Sequence, residues 1–190
     1  RRITYRELQV ETSKLASVLV SLGVKRGDVV TIYMPMVPEL AFALLACARI
    51  GAAHSVIFGG FAPTAISERA DDAKSRIIIT ADGGFRRGDV VPLLKNVTDA
   101  VDHLANHGHI INHVLCLKRT AHELPSHRFK TGSHHQIGGK DSSTKLHWWH
   151  DLVPPASEAH PCASMDSEDM LFLLYTSGST GKPKGIVHTT

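Results

Sequence analysis

The chain has 190 residues, 43% of them hydrophobic and 21% charged, with a formal charge of +3. This is an ordinary globular composition, long enough for one core or a large part of a bigger one. So small a charge argues against nucleic acid or an anionic membrane surface as partners, and no apolar run approaches the roughly 18 to 20 residues that span a bilayer.

In chain order, Thr4 to Glu7 form a capping box, with Thr4 as N-cap and Glu7 at the third helical position. Leu8, Leu15, Val18, Leu19 and Leu22 follow at helical spacing up to Gly23, a C-terminal stop. Lys25 to Asp28 is a turn, and the β-branched run Val29 to Met34 predicts a buried strand. After Pro35 and Pro38, Glu39 to Ile50 predicts an apolar, alanine-rich helix stopped by Gly51. Ala52 to Phe58 is a second strand ending in Gly59-Gly60, Pro63 to Ala73 a polar helix, and Arg76 to Thr80 a third strand. Pro92 to Leu104 predicts another helix and His113 to Leu117 a fourth strand. Such alternation predicts an α/β fold, a parallel-rich sheet flanked by helices. Ligands of these sheets sit at the carboxyl ends of strands, where Gly59-Gly60 and Asp82-Gly83-Gly84 fall.

From Lys118 to Ala163 the apolar period fails, and eleven of the 13 histidines lie between His103 and His160. His103 with His107, His134 with His135, and His147 with His150 are candidate metal pairs. None has the spacing of a known Cys/His site, so a solvated, irregular His-rich insertion over about 118–163 is expected, and no metal. Trp148-Trp149 would dock it on the body or on a neighbouring domain. Cys47, Cys116 and Cys162 are odd in number and widely separated, which predicts reduced thiols in an intracellular protein. The absence of an initiator methionine and the stop at Thr190 read as a piece of a longer chain.

The most informative stretch is Tyr175 to Gly185, Y-T-S-G-S-T-G-K-P-K-G, directly after the apolar run Met170 to Leu174. A buried strand running into a Gly/Ser/Thr turn suits polyphosphate handling: glycines admit close backbone approach, hydroxyls donate, and lysines bring charge. It is not a Walker A loop, because only Ser179 and Thr180 separate Gly178 from Gly181 and Pro183 follows Lys182. A flexible linker is the bland alternative.

The full string resembles the phosphate-binding signature of the adenylate-forming superfamily of acyl-CoA synthetases, luciferases and peptide-synthetase adenylation domains. Ala53 to Phe61, with Ile79 to Asp82 and Pro92 to Lys95, resembles its acetyl-CoA synthetase branch, with propionyl-CoA synthetases next. The resemblance covers about 1–104 and 168–190. It implies that residues 1–190 are part of the large N-terminal domain of an AMP-forming ligase. Such an enzyme activates a short carboxylate, acetate first, with Mg-ATP to acyl-AMP and passes the acyl group to CoA.

By the same resemblance, Thr176, Ser177, Gly178, Ser179, Thr180, Gly181, Lys182 and Lys184 would hold ATP phosphates. Phe58, Gly59, Gly60 and Arg86 would take CoA. Members often carry a second arginine where this chain has Asp89, and Arg87 is the nearby substitute. Read without the family, Gly59-Gly60 is a tight strand-end turn and Arg86-Arg87 a solvated pair. The Mg²⁺ site, the remaining catalytic groups and a small C-terminal domain would lie beyond Thr190, so these residues alone are expected to be inactive. A propionyl- or medium-chain enzyme, and a truncated nucleotide-binding product without chemistry, are the alternatives. The compartment would be cytoplasmic or mitochondrial.

Overall fold

The structure is a computed structural model that describes residues 2–120, 135–137, 143–176 and 183–190. Its helices are α1 (Tyr5–Ser21), α2 (Pro38–Ile50), α3 (Pro63–Asp72), α4 (Leu93–Asn106) and the short α5 (Trp149–Leu152). Its strands are β1 (Val29–Met34), β2 (Ala53–Phe58), β3 (Ile77–Ala81), β4 (Gly84–Arg86), β5 (Asp89–Val91), β6 (His113–Leu117), β7 (His135–Gln136), β8 (Lys145–Trp148), β9 (Met170–Thr176) and β10 (Lys184–Thr189).

The capping box forms as the sequence predicts. Glu7 N–H donates to the Thr4 hydroxyl at 3.2 Å, and Thr4 N–H donates to the Glu7 carboxylate at 2.7 Å. Leu15, Val18 and Leu19 then bury one face of α1, which packs on α2. Pro38 opens α2, where a missing N–H is harmless, and Gly51 closes it with φ +72° in the left-handed region. Helix α3 packs on α4, and α4 in turn rests on β3 and β1.

Eight strands form one sheet in the order β10-β9-β2-β1-β3-β6-β8-β7, and β4 with β5 forms a separate ribbon. The strands from β9 to β8 in that order are parallel, and only the edge strands β10 and β7 pair antiparallel. Ile32, Ile78, Ile79 and Leu115 are fully buried at its centre, as continuous apolar runs buried on both faces should be. The fold is therefore the α/β, parallel-rich sheet flanked by helices that the periodicity indicates.

Three features are absent from the sequence reading. The ribbon β4–β5 turns through Arg87 (φ +52°) and Gly88 (φ +90°), a two-residue loop of the kind that requires positive φ at both positions. Strand β10 returns along β9 and forms one edge of the sheet. The irregular stretch expected over 118–163 also contributes a core strand: β8 pairs in parallel with β6, and Leu146, Trp149 and Val153 are buried behind it. Its apolar residues have no period because each comes from a different short element. Cys47 is buried in α2, and burial pushes its thiol up to about 12.

Two consequences of the topology position the site. Strand β1 has β2 on one side and β3 on the other, which leaves a crevice beyond the carboxyl ends of β1 and β3. Strand β9 pairs with β2 with Phe172 opposite His54, so Thr176, four residues on, stands level with Phe58. The cleft and the roots of the β9–β10 hairpin therefore share one edge of the sheet.

Candidate functional site

A cleft of about 230 Å³ fills the crevice, lined by the end of β1 (Met34, Pro35, Met36), by Phe58 and Gly59 after β2, by the β4–β5 ribbon, and by Leu93 and Arg119. The loop after β2 is a tight turn, with Gly60 N–H and Phe61 N–H both donating to the Phe58 carbonyl, at 2.8 and 3.0 Å. The buried Tyr33 hydroxyl holds it from below by donating to the Phe61 carbonyl at 2.8 Å, and it accepts from Asn96 at 3.1 Å. Burial raises the Tyr33 phenol, partly opposed by the Asn96 contact, so it stays a neutral donor.

Neighbouring groups approach these two glycines closely. A Cβ on Gly59 would stand 3.2 Å from the Met34 carbonyl oxygen, and one on Gly60 would collide with the Arg86 guanidinium. That guanidinium lies 5.2 Å over the Phe58 ring, a cation–π arrangement. The structure thus brings together Phe58, Gly59, Gly60 and Arg86. Arg87 does not line this cleft: it occupies the ribbon's turn. Asp89 stands directly opposite Arg86 in the ribbon register, where cross-strand side chains share a face.

Arg119 is a cleft residue that the sequence reading misses, and Asp82, placed there only as part of a strand end, is what holds it. Arg119 shares the cleft wall and its guanidinium lies 5.8 Å over the Phe85 ring. Asp82, buried at the end of β3, accepts the backbone N–H groups of Gly83 (2.7 Å), Arg119 (2.8 Å) and Thr120 (3.0 Å). A buried carboxylate with three backbone donors locks the segment after β6 onto the segment after β3. The sequence signal for Arg119 was position, two residues past a predicted strand.

On the β9–β10 hairpin, Thr176 and Lys184 are register partners at the roots of the two strands. Ser177, Gly178, Ser179, Thr180, Gly181 and Lys182 lie outside the described residues. Tyr175, one position before Thr176, donates to the Asp72 carboxylate at 2.6 Å; burial, reinforced by that carboxylate, raises its phenol. The Arg69 guanidinium lies 5.6 Å over Tyr175 and 5.2 Å over Phe61, so one α3 side chain joins the hairpin to the loop after Gly60.

The histidines behave otherwise. His103 and His107 have ring centroids 4.3 Å apart, and His113 Nδ1 lies 3.0 Å from His147 Nε2. Among the described residues no three His, Cys, Asp or Glu side chains converge as a metal site would need. No helix among them is long and apolar enough to cross a membrane.

The AMP-binding enzyme family matches residues 1–190 of this chain. The chain belongs to that family of AMP-binding enzymes. Acetyl-coenzyme A synthetase of Escherichia coli (strain K12) is 50% identical over 190 residues, all of this chain and 26% of that protein. The acetyl-coenzyme A synthetase of Shewanella sp. (strain MR-4) is 52% identical over the same length, 27% of its own. Acetoacetyl-CoA synthetase from Streptomyces lividans superposes with a TM-score of 0.79 at 25% identity, covering all of this chain and 26% of that one. The chain thus spans about a quarter of the length of these relatives.

Proposed function

We propose that these residues serve an AMP-forming acyl-CoA ligase acting on acetate. The single observation that carries the reading is identity of about half the positions to acetyl-coenzyme A synthetases along the entire chain. The geometry supports it: an open cleft with two arginines and the hairpin roots Thr176 and Lys184 lie on one sheet edge, as a reaction using two phosphate-bearing substrates needs.

In the first step a carboxylate oxygen attacks the α-phosphorus of ATP and pyrophosphate leaves. In the second, the CoA thiolate attacks the acyl carbon and AMP leaves. Negative charge builds on the leaving pyrophosphate, and fixed donors lower that barrier because they need no reorganisation. Lys184 and Thr176, with Ser177 to Lys182, would supply such donors. Phe58, Gly59, Gly60 and Arg86 would hold the nucleotide end of CoA, the Arg86 fork binding phosphate bidentately. Gly60 fits that role physically, since its bare Cα leaves room for the guanidinium in its observed place. Mg²⁺ would shield the phosphates of ATP; none of the residues assigned here is its ligand. A compartment within the cell suits these substrates.

The test is ATP–pyrophosphate exchange by the protein at its native length, with acetate, propionate, acetoacetate and longer acids, followed by CoA-dependent AMP release. Exchange fastest with acetate supports the reading. A maximum with another acid moves the substrate within the family. Saturable ATP binding without exchange would reduce the function to nucleotide binding.

A further inference from the structure

The cleft has a second arginine, Arg119, besides Arg86. Arg86 and Arg119 both line it, each laid over the exposed face of a different phenylalanine, Phe58 and Phe85. A guanidinium parked on a ring keeps its plane fixed while its N–H edge stays open to an anion. Neither arginine makes an ion pair with any of the described residues. Asp89, meanwhile, sets a carboxylate opposite Arg86, which weakens the field that one arginine can offer a phosphate.

Arg119 is also held in place. Its backbone N–H and that of Thr120 both end on the buried Asp82 carboxylate. The segments after β3 and β6 touch closely enough that a Cβ on Gly83 would stand 2.5 Å from the Thr120 hydroxyl oxygen. A side chain rooted in so fixed a backbone binds with little ordering cost.

We propose that Arg119 is a phosphate-binding residue of the CoA cleft, offsetting Asp89 and acting with Arg86 on the nucleotide end of the ligand. This rests on the CoA reading above. Removing one arginine–phosphate contact of this kind lowers affinity about 10- to 100-fold.

The experiment is equilibrium titration of the native-length protein with CoA and with pantetheine, which has the thiol arm but no nucleotide. The variants are Arg119→Met, Arg119→Lys and Arg86→Met, with Arg6→Met on α1 as control and thermal melting to check that each is folded. Arg119→Met should weaken CoA at least about tenfold and leave pantetheine unchanged, with Arg119→Lys between it and the unmodified protein. The CoA affinity of Arg119→Met should also depend less steeply on salt. If Arg86→Met loses CoA while Arg119→Met binds it normally, the Arg119 assignment is wrong and the CoA reading survives. Equal loss of CoA and pantetheine in Arg119→Met would make the residue a structural support, again overturning the assignment. Normal CoA binding by both variants, or none by the unmodified protein, would overturn the CoA reading itself.

Discussion

Gly60 separates two demands that a side chain can make, one on stability and one on ligand geometry. Its φ lies outside the left-handed region, so alanine is compatible with the backbone there. The added Cβ would meet the Arg86 guanidinium, the far end of a flexible side chain, and Phe58 Cε1 at 2.9 Å. Gly60→Ala should therefore leave stability within about 0.5 kcal/mol while displacing Arg86 and weakening CoA about tenfold. Melting and CoA titration on the same sample check this, and a large stability loss with unchanged affinity would refute it. Gly60 and Arg86 were legible through the family resemblance, since their local patterns, a Gly-Gly strand end and an arginine pair, read by themselves as a tight turn and a solvated pair. Arg119 was not, because what defines it is a contact to Asp82 across 37 residues that no local period records.

At the scale of elements, β8 shows where sequence periodicity stops informing. Strands β1 and β3 were readable because five or six consecutive residues are apolar or β-branched, and β2 and β6 because each ends in a run of three or four apolar residues. Lys145-Leu-His-Trp148 offers one aliphatic side chain, and the sheet recruits it through backbone pairing with β6 and through Trp149 behind it. If Leu146 is core, Leu146→Ala should cost about 2 to 4 kcal/mol, a value a surface loop would not reach. Urea denaturation measures it, and a change under about 0.5 kcal/mol would contradict the placement of β8.

The seam between β2 and β9 makes a second, pH-dependent prediction. His54 stacks on Phe172 at 5.4 Å, and Phe172 on His188 at 4.3 Å. Burial lowers His54 to about 4 from 6.5, and its Nδ1 has no hydrogen-bond partner among the described residues. Between those two values the unfolded chain binds a proton that the folded chain refuses. Stability from this group is thus complete above 6.5 and falls as pH drops towards 4. The lowered carboxylates of Asp71 and Asp169 act in a separate window, at and below their ordinary 3.8. His54→Phe keeps the stacked ring and should flatten the loss of stability between pH 6.5 and 4.5, with His188 still present. Parallel slopes in variant and unmodified protein, from denaturation midpoints across that range, would show that His54 is not the group responsible.

For the whole molecule, the parallel sheet has unequal borders. One edge, β7, is two residues long and offers little backbone to pair with. The other is β10, six residues long, with Ile186 47% and Val187 55% exposed beside Leu174 on β9. The apolar character of β9 was plain in the sequence. That β10 would fold back and carry the open edge was not, because Lys184 to Thr189 is short and interrupted by Gly185 and His188. A long edge with apolar side chains on it is a template for another strand, and natural edges blunt this with lysine. These 190 residues prepared alone should therefore self-associate through β10. Val187→Lys should shift sedimentation towards the monomer, because a charge on that strand must be desolvated for a second edge to pair with it. Lysine at Val20, exposed on α1 and distant from the edge, should have no such effect. If both substitutions act alike, general solubility explains the result. If only Val187→Lys acts, β10 is the sticky border, and whatever covers it in a longer protein supplies stability that the bare sheet lacks.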